Sequence, residues 1–376
     1  EIGVRLVGSE MCIRDSYNAS IFGHERMNAY AYISIVEVLL KLGSVIMIQY
    51  CFADKLLAFG ALNMGVTILT ALTYRFYCVR NFLNCRYVRY WSALLFKELF
   101  SYIGWSLIGN LAWTFNSQGM NILINMFFGP VFNATRGIAS SVESAVSSFL
   151  YNFITPAVPP IIKAYAAGDI DEMIRLSLRS SKLGFLLFMC LSLPLISVMN
   201  PILKLWLIAP PPQSWTFCLL SLIYIQCNSL GGTLQNMVQA TGKVKRYQLS
   251  NGIVKIMALP IVYIIYKCGG DVVAYLWTLI LTSIVGLMVQ LDAVRRLIDS
   301  FKISDYLKKV IMPALTAYLL PFLLSFYFSC MEMESLKMME TVAIMVVICL
   351  FSVWFIGFTG HERSWILNIA KSKLYR

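Results

Sequence analysis

Ten apolar stretches, each long enough to cross a lipid bilayer as a helix, recur along this chain and leave little room for any other architecture. A hydrocarbon core of about 30 Å takes about 20 residues of helix. By that length criterion the stretches fall at roughly 28–50, 55–77, 101–127, 132–158, 183–205, 214–240, 247–267, 271–293, 310–330 and 341–360. Of 376 residues, 59% are hydrophobic and 13% charged, about half the charged share of a soluble domain. The pattern predicts an all-α, polytopic transmembrane helical bundle, with no strand pattern, soluble domain or internal repeat.

Residues Glu1 to Ser16 (EIGVRLVGSEMCIRDS) stand apart from this pattern. They are neither apolar enough to span nor periodic, and they lack the apolar core of a signal peptide. The string is similar to translated sequencing-adapter read-through. It is expected to be a non-native leader on a protein that continues upstream, the alternative being a genuine cytoplasmic tail.

The net charge of +12 follows the membrane rather than nucleic acid. With the residues before Asn28 placed in the cytoplasm, the cytoplasmic segments hold 22 Lys and Arg, including Arg75, Arg86, Lys182, Lys243 and Lys302. The opposite side holds only Lys55, Lys204, Lys267 and Lys337. This is the asymmetry of the positive-inside rule, and ten crossings return the C-terminus to the cytoplasm. Some attraction to anionic lipid headgroups is expected as well, and no nucleic-acid partner.

Ten cysteines and two histidines, His24 and His361, form no CxxC and no Cys/His cluster. No metal site and no cofactor are expected, and buried Cys acts as a small hydrophobe. Nucleophile elbows, HExxH and Walker loops are absent from the sequence, so the chain does not read as an enzyme. Two connectors read as surface helices: Trp91 to Phe100, with apolar and charged residues interleaved as an interfacial helix requires, and Asp169 to Lys182, acidic first and basic last. Prolines at 156, 159, 160, 194, 201, 260, 313 and 321 are expected to kink the spans.

On an apolar helix the informative residues are polar, because each needs a partner or a cavity. At about 100° per residue, the third span sets Asn110, Thr114, Gln118, Asn121 and Asn125 on one arc. The fourth aligns Asn133, Arg136, Ser140, Glu143, Ser147 and Tyr151; the sixth aligns Ser221, Asn228, Gly232, Gln235 and Gln239. Such stripes either hold a bundle through interhelical hydrogen bonds or line a water-filled cavity, and three together favour the cavity. Among charges, Glu37 and Lys41 stand at i, i+4 and can neutralise each other. They are a structural pair or a coupling site. Lys255 has no carboxylate on its own helix.

Several strings resemble a known family. GHERMNAYAYISIVEVLLKL (Gly23 to Leu42), FKELFSYIGWSLIGNLAWTFNSQGMNILINMFFGPVFNATRGIAS (Phe96 to Ser140) and YNFITPAVPPIIKAYAAGD (Tyr151 to Asp169) are similar to Wzx-type polysaccharide-repeat-unit flippases. So are SSKLGFLLFMCLSLPL (Ser180 to Leu195) and QATGKVKRYQLSNG (Gln239 to Gly252). These flippases belong to the multidrug/oligosaccharidyl-lipid/polysaccharide (MOP, MATE-like) exporter superfamily. The resemblance covers essentially all of 17–376, and FFGPVFNATRGIA is its most specific part. It implies two six-helix lobes around a central cavity: 17–90 would be the last two helices of the first lobe, 91–299 the second lobe, and 300–376 an extra helix pair with a cytoplasmic tail. The first four helices of the family would lie upstream.

The resemblance further implies a transporter in the bacterial inner membrane. It would flip undecaprenyl-pyrophosphate-linked oligosaccharide for surface polysaccharide synthesis, with polysaccharide polymerase machinery as a partner. Arg136 and Lys255 would meet the pyrophosphate, Asn110, Gln118, Asn121, Asn125, Asn228 and Gln235 would contact sugar hydroxyls, and Glu143 would line the same cavity. Two alternatives stay open. A cation-coupled multidrug antiporter would use an acidic site, for which Glu37 and Glu143 are the candidates. A membrane-embedded O-antigen polymerase or ligase would usually carry a large external loop, and the external loops here are all short.

Overall fold

The computed structural model describes residues 17–18, 20–21, 24, 26–51, 55–82, 85, 92–207, 209–329, 335–360 and 362–364. The leader Glu1 to Ser16, Trp91, and Arg86, Arg89, Lys371, Lys373 and Arg376 of the charge pattern lie outside them. The chain divides into two compact units, Glu1–Ala93 and Leu94–Arg376. The first holds α1 (Met27–Cys51) and α2 (Lys55–Asn81), which pack on each other. Ile21, Tyr74, Cys78 and Phe82 form its small core, with the His24 ring stacked 4.0 Å from that of Phe82.

Every regular element described in the second unit is a helix. The unit runs α3 (Ala93–Phe128), α4 (Pro130–Ile154), α5 (Val158–Ala166), α6 (Ile170–Ser197), α7 (Met199–Leu207), α8 (Ser214–Ser229) and α9 (Gly232–Thr241). It continues with α10 (Lys245–Lys267), α11 (Ala274–Leu297), α12 (Ile303–Tyr306), α13 (Met312–Ser329) and α14 (Ser335–Ser352). Helix α6 is its axis: α4, α8, α9, α13 and α14 all pack against it. Half of its residues are buried, Phe185, Phe188, Met189 and Leu193 among them. Helices α13 and α14 are therefore part of this unit's packing.

Nine helical segments among the described residues are long and apolar enough to cross a membrane. The tenth expected span lies within α3, which has the length, at 36 residues. It falls short in apolar density because Asn110, Thr114, Asn116, Ser117, Gln118, Asn121 and Asn125 dilute it. Between α3 and α4 the connection is a single residue, Gly129, whose φ of 83° is left-handed and strained for any side chain. Pro130 then starts α4, where its missing N–H is no loss.

The two expected surface helices do not exist as separate elements. From Ala93 onward the first is simply the beginning of α3, and the second is the beginning of α6. Nothing between Ser180 and Gly184 stops a helix that Asp169 has started by accepting the Glu172 N–H at 3.0 Å. As a result Lys182 is not a solvated loop charge. It is 3% exposed and paired at 2.5 Å with Glu362, beyond the end of α14.

Proline acts locally and its consequences are met by neighbours. Thr155–Ala157 tightens to a 3₁₀ turn around Pro156. Pro194 precedes the break at Val198. Pro321 deprives the Ala317 carbonyl of its i+4 donor, and Ser352 Oγ supplies one at 2.7 Å.

The expected continuous sixth span is broken at Leu230–Gly231, between α8 and α9. Hydroxyls of Ser181 (2.9 Å) and Tyr306 (2.6 Å), both fully buried, donate to the Leu230 carbonyl at this break. Replacing one of them leaves the other in place, so Tyr306→Phe should cost under about 1 kcal/mol. The double substitution Ser181→Ala/Tyr306→Phe orphans a buried carbonyl and should cost about 1–3 kcal/mol. Thermal unfolding in detergent reads the difference, and equal midpoints for the single and double variants would refute it.

Candidate functional site

A cavity of about 330 Å³ opens inside the second unit between α3, α4, α8, α10 and α11. A second space of about 270 Å³, reaching toward α9, shares with it Trp113, Tyr151, Asn228, Asn251, Lys255 and Gln290. The polar faces of five helices thus converge on one compartment.

Helix α4 contributes most of the charge. Arg136, Ser140, Glu143 and Ser147 line the cavity from successive turns, with Ser144 beside them. Arg136 is anchored to α3: its Nη1 donates to the Ser117 carbonyl at 3.0 Å and to Asn121 Oδ1. Its guanidinium also sits 5.6 Å from the centre of the Tyr275 ring, a cation–π distance. Glu143, two turns further, makes no hydrogen bond or ion pair with any described residue, although it shares a helix face with Arg136.

From α10 comes Lys255, also without a hydrogen bond or ion pair among the described residues. Its backbone carbonyl accepts a hydrogen bond from Asn116 Nδ2. Two cations face one carboxylate, so the formal charge of the lining is +1. Around them stand hydroxyls, amides and aromatic rings. Ser147 Oγ and Gln290 Oε1 are buried with no hydrogen-bond partner among the described residues. Gln290 Nε2 donates to Asn251 Oδ1 at 3.3 Å, and its amide lies so close to Gly231 that a Cβ there would collide with it.

Of the residues singled out from the sequence, Arg136, Glu143, Lys255, Asn110, Asn228 and Gln235 line the two spaces. Gln118, Asn121 and Asn125 do not. Asn121 accepts from Arg136 and donates to Gln118 Oε1 at 3.2 Å, and Asn125 is exposed. The lining face of α3 is set by Trp113, Asn116 and Ser117 instead. Tyr275, Thr282, Gly286 and Gln290 of α11 also line the cavity, and their spacing of about four or seven residues was a readable signal. Glu37 and Lys41 sit in the first unit as an i, i+4 pair at 2.7 Å.

No protein-family model matches the sequence, and no curated protein does. Solved structures match in fold. One is a MATE transporter in complex with MaL6, at a TM-score of 0.59 and 12% identity, over 70% of this chain and 62% of that one. Another is a MOP superfamily transporter from Pyrococcus furiosus, described by a binding pocket of reverse polarity that suggests a different function. It matches at 0.59 and 14% identity over the same shares of the two chains. The chain therefore spans about 62% of the length of these transporters and has their helical-bundle fold.

Proposed function

We propose that this chain is part of a membrane transporter that flips undecaprenyl-pyrophosphate-linked oligosaccharide across the bacterial inner membrane. One observation carries the reading. Arg136 and Lys255, from different helices, share a single cavity with Ser147 Oγ and Gln290 Oε1, which have no hydrogen-bond partner among the described residues, and with Trp113, Tyr151 and Tyr224. Cations suit a pyrophosphate, aromatic faces and amides suit sugar rings, and a buried cation is costly without an anion to meet it. Rocking of helical lobes about such a cavity would give alternating access. Polymerase machinery would take up the flipped unit.

A second reading rests on Glu143. A carboxylate in the cavity with no ion pair among the described residues is what a cation-coupled multidrug antiporter would use. The two readings separate by substitution in a transporter that contains this chain. Under the flippase reading, Lys255→Ala lowers export of lipid-linked oligosaccharide about tenfold or more, while Glu143→Gln leaves drug tolerance unchanged. Loss of drug tolerance in Glu143→Gln, with oligosaccharide export intact in Lys255→Ala, would replace the flippase by the antiporter.

A further inference from the structure

A second site lies where α3 and α10 begin. Lys97, Lys243, Lys245 and Arg246 rim an open groove of about 1110 Å³, whose described lining contains no carboxylate. None of the four makes an ion pair with a described residue, and the first turn of α10 contains no acid. Like charges gathered this way repel one another, and at a helix start they also oppose the dipole. An anion in the groove offsets both terms.

The wall identifies the kind of anion. Apolar side chains share the groove with the cations: Leu94 and Leu99 flank Lys97 on α3, Leu249 follows Arg246 on α10, and Tyr102 and Trp105 line it further along α3. The Lys245 ammonium lies 4.7 Å from the centre of the Trp105 ring, which holds it in place. Aromatic residues at the ends of apolar spans mark the headgroup level of a bilayer. Charge and hydrocarbon together in one groove match a molecule that is itself anionic at one end and apolar at the other. A free phosphate would leave the leucines unused.

We infer that this groove binds an anionic phospholipid of the surrounding bilayer, its phosphate held by Lys243, Lys245 and Arg246 and its chains lying on Leu99 and Leu249. The inference is independent of the transported substrate.

Native mass spectrometry of the detergent-solubilised chain tests it with phosphatidylglycerol, phosphatidylcholine and undecaprenyl phosphate as probes. Phosphatidylglycerol should be retained in preference to phosphatidylcholine. Retention should fall about fivefold for each cation removed across Lys243→Gln, Lys245→Gln and Arg246→Gln, with Arg246→Lys near wild type. Lys243→Gln alone, at an exposed turn, gives the same reading if the triple variant does not fold. Equal retention of phosphatidylcholine, or unchanged retention in Lys243→Gln, overturns the inference. So does displacement of phosphatidylglycerol by inorganic phosphate at equal concentration, because the chains would then contribute nothing. Displacement by equimolar undecaprenyl phosphate also overturns it and assigns the groove to the polyprenyl carrier.

Discussion

Under the proposed function, alanine at position 136 is expected to lower transport of a pyrophosphate-linked lipid by about 100-fold in a transporter that contains this chain. Removing one partner of a desolvated charge pair costs about 2–5 kcal/mol, and each 1.4 kcal/mol is tenfold. The side chain also joins α3 to α4 through Ser117 and Asn121, so two effects must be told apart. Arg136→Lys keeps the charge but loses the planar fork, and should recover only part of the activity. Asn121→Ala keeps the guanidinium and removes one anchor, so it should lower export less than Arg136→Ala does. Membrane abundance measured beside export separates lost folding from lost binding. Normal export in Arg136→Ala would remove the strongest cation from the proposed site.

The largest stability effect is expected at Glu362. Its partner Lys182 is 3% exposed, and leaving a buried ammonium uncompensated costs about 3–5 kcal/mol, whereas removing both charges is far milder. Glu362→Ala should therefore unfold at a lower temperature than Lys182→Met/Glu362→Met. The carboxyl is partly buried, which disfavours its charge. Bonds from Lys182 and from the Thr359 N–H (2.8 Å) and hydroxyl (2.9 Å) outweigh that and hold it below its usual value of 4.5. A lowered carboxylate contributes stability that is present above its unfolded value and lost as pH falls through the folded one. The wild-type melting temperature should drop more steeply than that of Glu362→Gln as pH falls below about 4.5. Parallel pH curves for the two proteins would sink the pairing.

Much of the fold was legible because apolar length is a coarse and robust signal. What failed were boundaries set by the absence of a breaker. Helices α3 and α6 run on into their connectors because no Gly or Pro interrupts Ala93 to Tyr102 or Ile170 to Leu183. At the candidate site, the α4 stripe was readable because Arg136, Ser140, Glu143 and Ser147 recur at helical spacing on an otherwise apolar helix. Helix α3 misled because it carries more polar residues than its lining face needs. Asn121 and Gln118 bond each other, and Asn116 reaches a backbone carbonyl of α10, choices that depend on a partner helix invisible to periodicity. The break at Leu230–Gly231 was hidden for the same reason: its stabilising donors come from residues 49 and 76 positions away.

That break ties the wall of the cavity to distant parts of the chain. The carbonyl held by Tyr306 belongs to Leu230, and the next residue, Gly231, lies against the Gln290 amide that lines both spaces. Tyr306 in turn leads directly into the π-helical turn Leu307–Ile311 and then α13. Two hydroxyls on one carbonyl thus fasten α6 and α12 to the turn beside the cavity wall, so the double variant frees the turn that abuts Gln290 while either single variant keeps it tied.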